Sequence, residues 1–314
     1  MSTVKKMSNQ IFSRLISNKL FPQLTWLRFF GFEFWMVGFT PFFIGYVVGA
    51  KELFGFDLFY GFIIIAFLTS STFILNHIYD LELDKKNPRK EFSLLVRDTI
   101  TVKQAWLLFW FFQITCILLS FRFNNNFLLC IIGLTIISFV YNTPPFRFKT
   151  IPGLDLISNG ISLGFLIPLS AWSINQPILE FPRLYLFATF CYLMALYCPT
   201  MAVDVEFDKK FGIQTFATKF GASNTMKLSW IFTILGVFTL LYSGIYEIFP
   251  WNYKLLIWTG WLLILEIIVH YIYLPIYSQP SYHTVAKGSI ILAKLEALAT
   301  FFFFIIFLDL YPIG

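Results

Sequence analysis

The chain has 314 residues, of which 58% are hydrophobic and 13% charged, with 41 Phe and a formal net charge of +6; its mean hydropathy is +0.72. A soluble domain carries about 25% charged residues, so a soluble enzyme and a disordered chain are both excluded, and the composition is that of a polytopic membrane protein. In such a chain a positive balance held in loops sets orientation and does not point to nucleic acid.

Residues 1–25 read as a basic amphipathic segment. Lys5, Lys6, Arg14 and Lys19 are interleaved with Ile11, Leu15 and Ile16 at helical spacing, the pattern of a helix lying on a membrane surface. No short apolar core with a small-residue cleavage site follows. From 26 to 314, apolar segments succeed one another without a polar linker, which predicts a single integral-membrane domain. A helix needs about 20 apolar residues to cross a bilayer. That rule predicts nine spans, at 26–49, 56–79, 101–121, 127–145, 155–173, 183–203, 226–246, 252–274 and 289–311. The fold class expected is therefore all-α and polytopic. Pro41, Pro168 and Pro199 fall inside spans and mark candidate kinks.

With the N-terminus inside, the outer loops hold only Lys51, Arg122, Arg183 and Lys254, which leaves 19 of the 23 basic residues on the inner side. That asymmetry fixes the expected orientation. The four cysteines (Cys116, Cys130, Cys191 and Cys198) lie in apolar segments without a C-x-x-C pair. They read as small buried hydrophobes and not as a zinc site or disulfide framework.

The second and sixth spans each deliver the same acidic phrase to the inner face. The first is Asp80-Leu81-Glu82-Leu83-Asp84-Lys85-Lys86 and the second Asp204-Val205-Glu206-Phe207-Asp208-Lys209-Lys210. Aspartates four apart share a helix face. Asn76, Asp80 and Asp84 would form one polar stripe, drifting about 40° per step; Glu82 and Glu206 point away from it. Charged helix ends are common at membrane surfaces and would explain one acidic cluster. They do not call for an Asn one turn deeper, nor for the same spacing twice. Carboxylates and an amide oxygen are hard ligands suited to Mg²⁺, which is held by one or two carboxylates plus substrate phosphates. The residues themselves thus point to two facing phrases that hold divalent metal against a diphosphate.

Between the phrases, at the inner end of the fourth span, lies Tyr141-Asn142-Thr143-Pro144-Pro145-Phe146-Arg147-Phe148-Lys149. The prolines end the helix and stiffen the turn, so Arg147 and Lys149 would be presented rigidly, and an arginine fork matches phosphate oxygens. For single lysines downstream of either phrase, contact with lipid headgroups is an equally good reading.

With these three stretches in view, the chain resembles the UbiA superfamily of intramembrane prenyltransferases. Asn76 to Asp84 is similar to that family's N-D-x-x-D-x-x-x-D motif, with His77 in place of the usual Asp. Asp204 to Gly212 is similar to its D-x-x-x-D-x-x-x-G motif, and Tyr141 to Lys149 to its Y-x-x-P-P-x-R-x-K element. The resemblance implies helices around a central cavity open to the cytoplasmic side. It also implies two Mg²⁺ ions held by Asn76, Asp80 and Asp84 on one side and by Asp204 and Asp208 on the other. Those four aspartates are the catalytic expectation. Arg147, Lys149 and Lys209 are expected to bind the diphosphate, and Tyr141 and Asn159 the substrate. The reaction implied is transfer of an isoprenyl group from an allylic diphosphate to a lipophilic acceptor through a carbocation. Short strings (Asn87-Pro88-Arg89-Lys90, Phe148 to Asp155 and Ser158-Asn159-Gly160) resemble the lycopene-elongase-like branch, where the acceptor is a carotenoid end; an aromatic quinone precursor is the alternative. His77, His270 and His283 receive no role. The bilayer is the expected partner, nucleic acid is not, and a prokaryotic plasma membrane is the expected location. Two other classes compete: a transporter with an acidic site, and a non-catalytic membrane scaffold. Carboxylates in a transporter belong near the midplane, whereas these fall at span ends.

Overall fold

The computed structural model describes residues 22–87, 90–91, 93–246 and 253–268, with isolated positions at 271, 297–298, 300–302 and 305. Residues 1–21, most of the ninth expected span, His270, His283 and Arg89 lie outside them. Every regular element among the described residues is helical. In chain order these are α1 (Pro22–Phe29), α2 (Phe32–Ala50), α3 (Phe56–Tyr79), α4 (Leu81–Asp84), α5 (Val102–Ser120) and α6 (Asn125–Asn142). They continue with α7 (Leu154–Ile161), α8 (Ile167–Ser173), α9 (Arg183–Lys210), α10 (Phe216–Phe220), α11 (Ala222–Tyr246) and α12 (Tyr253–Ile268).

Among the described residues, six helical stretches are long and apolar enough to cross a membrane: 56–79, 102–120, 125–142, 154–173, 183–210 and 222–243. Shorter apolar stretches run over Phe34–Ala50 and Leu256–Leu265. The first expected span, 26–49, is two helices. The chain breaks at Gly31 (φ 67°), a left-handed position packed so closely on the Phe73 ring that a Cβ would collide with it. The fourth span stops at Asn142, because Pro144 and Pro145 cannot extend it. The sixth runs seven residues further than expected, to Lys210, and carries the whole second phrase inside one helix. The fifth is α7 and α8 joined by a π-helical turn, Ser162–Leu166, immediately before Pro168. Such a turn absorbs the hydrogen bond that a mid-helix proline cannot make.

Side-chain caps begin α5, α6 and α10. Thr101 and Gln104 form a capping box at α5, and the Asn124 side chain accepts from Phe127 N at α6 (3.0 Å). The bundle is apolar inside and out. Phe42, Phe43, Phe109 and Phe127 are fully buried, whereas Leu118, Leu129 and Phe238 are among the most exposed side chains. The large Phe content therefore serves both core and lipid-facing surface. Without a hydrophobic drive between helices in lipid, polar side chains link them. The Ser71 hydroxyl donates to Gln113 Oε1 (3.0 Å), Gln113 Nε2 donates to the Thr135 hydroxyl (2.8 Å), and Ser138 donates to Thr72 (2.9 Å). These tie α3, α5 and α6 together. All four cysteines are buried, as their apolar setting predicts.

Candidate active site

The C-terminal ends of α3, α6 and α9 meet at one end of the bundle. The expected stripe over Asn76, Asp80 and Asp84 is altered there. α3 stops at Tyr79, and Asp80 (φ −97°, ψ 3°) leaves helical geometry before the single turn of α4. Asp80 thereby turns toward the basic element. Its Oδ1 accepts from the Arg147 guanidinium and its Oδ2 from Lys149 Nζ, both at 2.7 Å. Asn76 Nδ2 donates to Asp80 Oδ2 and to Asn142 Oδ1, both at 3.0 Å, and Lys149 Nζ also reaches Asn142 Oδ1 (3.2 Å). Asp84 takes another direction. It is buried, with Oδ2 3.6 Å from Nδ1 of His77, whose ring stacks on Phe29. Glu82 is exposed and pairs with Lys85 (2.9 Å).

Arg147 adopts a left-handed backbone (φ 40°, ψ 55°), a conformation that costs a non-glycine residue about 1–2 kcal/mol. Its N–H donates to Thr143 O (2.8 Å), closing the turn that aims the guanidinium at Asp80. Burial opposes the charged form of Asp80, but Lys149 and Arg147 outweigh it and hold the carboxyl below its usual value. Burial lowers Lys149 in turn, against the pull of Asp80. The three side chains form a charge triad in which Asp80 and Lys149 are largely buried and Arg147 is 34% exposed.

Asp204 and Asp208 lie one turn apart near the end of α9, both half-buried, with Glu206 and Lys209 exposed beside them. The two phrases meet at their far ends, where Lys86 Nζ sits over the Phe211 ring (5.8 Å). Deeper in, the hydroxyls of Tyr141 and Tyr197 are 2.5 Å apart, linking α6 to α9, and Asn159 of α7 is anchored through Nδ2 to Asp155 O (2.8 Å). Asn142 and Tyr197 carry site geometry but were not singled out from sequence. Tyr197 had a usable signal, since it stands seven residues before Asp204 and so on the same face of α9. Asn142 had none beyond its place beside Tyr141.

The donor set fits Mg²⁺. Asn76, Asp80, Asp84, Asp204 and Asp208 all offer hard oxygen, and Asp84 Oδ2 is buried without a hydrogen bond among the described residues, a costly state for an acceptor. No three His, Cys, Asp or Glu side chains among the described residues converge closely enough to hold an ion by themselves. Water and phosphate oxygens would complete the shell, as is usual for this ion.

A sequence profile of the UbiA prenyltransferase family matches residues 38–287. The chain belongs to the UbiA prenyltransferase family. The fold is that of a UbiA homologue from Archaeoglobus fulgidus whose structure was determined bound to DMAPP and Mg²⁺. The TM-score is 0.72 at 23% identity, over 90% of this chain and 98% of that one. Among curated proteins the chain is similar to a lycopene elongase/hydratase of Haloarcula japonica, 27% identical over 191 residues, covering 54% of this chain and 61% of that protein. It is also similar to a chloroplastic 2-acylphloroglucinol 4-prenyltransferase of Humulus lupulus, 33% identical over 181 residues, covering 53% of this chain and 40% of that protein. The matched region thus spans roughly half the length of these relatives.

Proposed function

We propose that this UbiA-family chain transfers an isoprenyl group from an allylic diphosphate to a lipophilic acceptor, with Mg²⁺ held between Asn76, Asp80 and Asp84 and the pair Asp204 and Asp208. The observation that carries this reading is the charge triad. A carboxylate held by both an arginine and a lysine supplies the anion that a metal takes and the cations that a diphosphate takes, at one point. When bound, Mg²⁺ supplies neutralisation of the charge that develops on the leaving diphosphate. Arg147 and Lys149, preset by the turn and by Asn142, would offer their N–H donors to the diphosphate, and Lys209 would extend that set. The C–O bond then breaks to give diphosphate and an allylic cation. The acceptor's π electrons capture the cation, and the adduct loses a proton. Tyr141, Tyr197 and Asn159 line the step between the phosphate end and the apolar interior. Burial of Asp80 and Lys149 keeps water from that pair and strengthens it, and the apolar interior would protect the cation from hydrolysis.

The acceptor we favour is a carotenoid end, on the similarity to the Haloarcula elongase and the strings from Phe148 to Gly160. An aromatic acceptor is the second reading, supported by the higher identity to the hop enzyme. We place the chain as one integral domain from 26 to 314 with nine spans, preceded by a surface-lying segment over 1–25. In this reading the site faces the cytoplasm of a prokaryotic plasma membrane. The full chain in proteoliposomes, given labelled allylic diphosphates with lycopene or an acylphloroglucinol, should form product only when Mg²⁺ is present. Asp80→Ala and Asp204→Ala should each lower the rate at least about a hundredfold, the scale of losing a charge-stabilising group. Undiminished transfer by either variant sinks the mechanism.

A further inference from the structure

The site is assembled from two loops that belong to different halves of the chain, and one buried carboxylate joins them. Asp155, on the first turn of α7, is 1% exposed. Its Oδ1 accepts from two local amides, Gly153 N (2.7 Å) and Leu156 N (2.9 Å). Its Oδ2 accepts from Phe216 N (2.6 Å), the first residue of α10, 61 positions away.

Each side of this bond runs by short backbone links to the charged groups of the site. On one side Asp155 N donates to Ile151 O (3.1 Å), Ile151 N to Phe148 O (3.0 Å) and Thr150 N to Arg147 O (2.9 Å). This is a closed train of turns from the carboxylate back to Arg147 and Lys149. On the other side Ile213 N donates to Asp208 O (2.9 Å) and Gly212 N to Lys209 O (3.2 Å). Thr215 and Thr218 then close a capping box that presents Phe216 N. One hydrogen bond thus joins the turn that carries the cations paired with Asp80 to the loop that follows the second phrase, beside an apolar cluster that holds Leu156 with Val205 and Ala217.

We infer that Asp155 is a positioning residue, which sets the separation between the Arg147–Lys149 turn and the Asp204–Asp208 helix end. Both of its carboxylate oxygens are taken up by backbone amides. The inference rests on the proposed diphosphate chemistry for its kinetic consequence, but not for the bond itself. The two oxygens divide the work, so a single isosteric change separates them. Asp155→Asn keeps an acceptor at Oδ1 for Gly153 and Leu156 and turns an NH₂ toward Phe216 N, which loses its acceptor. Phe216→Pro removes the donor from the other side. Position 216 is the first of its helix, where proline is tolerated.

The test uses the full chain in proteoliposomes. Hydrogen exchange is followed over 147–156 and 211–220, alongside steady-state kinetics with a labelled allylic diphosphate. Asp155→Asn should speed exchange in both segments together and leave α5 unchanged. It should also raise KM for the diphosphate about tenfold with a smaller change in kcat, the scale of losing a hydrogen bond to a charged group. In the Phe216→Pro background, Asp155→Asn should have no further effect on KM, because the shared bond is already gone. Additive effects of the two changes, or faster exchange confined to 153–156, would overturn the inference. If the wild type transfers no prenyl group at all, the proposed function fails, while the exchange pattern still decides whether Asp155 couples the two loops.

Discussion

At the residue scale, the chemistry of the site depends on which partner each carboxylate finds. Asp80 and Asp84 are spelled alike in the phrase, yet Asp80 meets Arg147 and Lys149 while Asp84 is buried beside His77. The substitution of His for the family's usual Asp at position 77 thus has a physical counterpart, a buried neighbour for Asp84. Lys149 is the most exacting member of the triad, because its ammonium is nearly buried and held by Asp80 and Asn142. Lys149→Met should destabilise the protein by about 3 kcal/mol, since it leaves a largely buried carboxylate short of a partner. Adding Asp80→Asn should recover most of that loss without restoring prenyl transfer. Thermal unfolding in detergent measures the first effect and the transfer assay the second. A double variant as unstable as Lys149→Met alone would place the cost elsewhere, in lost packing of the lysine stem.

At the element scale, the helices approach so closely that small residues are required at their crossings. A Cβ on Gly45 of α2 would collide with the Pro168 carbonyl of α8, and one on Gly164 would sit 2.6 Å from Phe190 Cα of α9. Both obstacles are backbone, which cannot rotate away. Gly164→Ala should therefore cost about 1–3 kcal/mol, the usual price of overpacking. At Gly260 of α12 an added Cβ meets nothing within 4 Å among the described residues, and Gly260→Ala should be neutral or mildly stabilising. Melting temperatures of the two variants compare them directly; equal values would mean that the crossing at Gly164 has slack. The boundaries of α3 were legible from hydropathy, and those of α5 from hydropathy and the Thr101 cap. The split at Gly31 and the π turn before Pro168 were not. Each depends on what packs against the break, and the local sequence does not carry that.

At the scale of the whole molecule, the orientation read from Lys and Arg can be tested on structural grounds. The four native cysteines are buried, so introduced ones report with little background. Glu82 and Leu179 are both exposed, and the fold places them at opposite ends of the bundle. Labelling of Glu82→Cys and Leu179→Cys with a membrane-impermeant maleimide should reach position 179 from the outside and position 82 only from the cytoplasmic side. The reverse pattern would invert the topology and put the diphosphate site on the wrong side of the membrane for a cytoplasmic substrate.

The sequence by itself determined the class of the protein and most of its spans, because hydropathy and i, i+4 spacing are written within single segments. It placed the two aspartate phrases and the basic turn at helix ends for the same reason. Only the tertiary structure decided that Asp80 closes a triad while Asp84 turns inward, that Tyr141 meets Tyr197, and that Asp155 joins the two loops. These contacts link positions about 60 residues apart, except the one between His77 and Asp84. They depend on helix crossing angles and on where α3 breaks, and those are set by packing that no local pattern encodes.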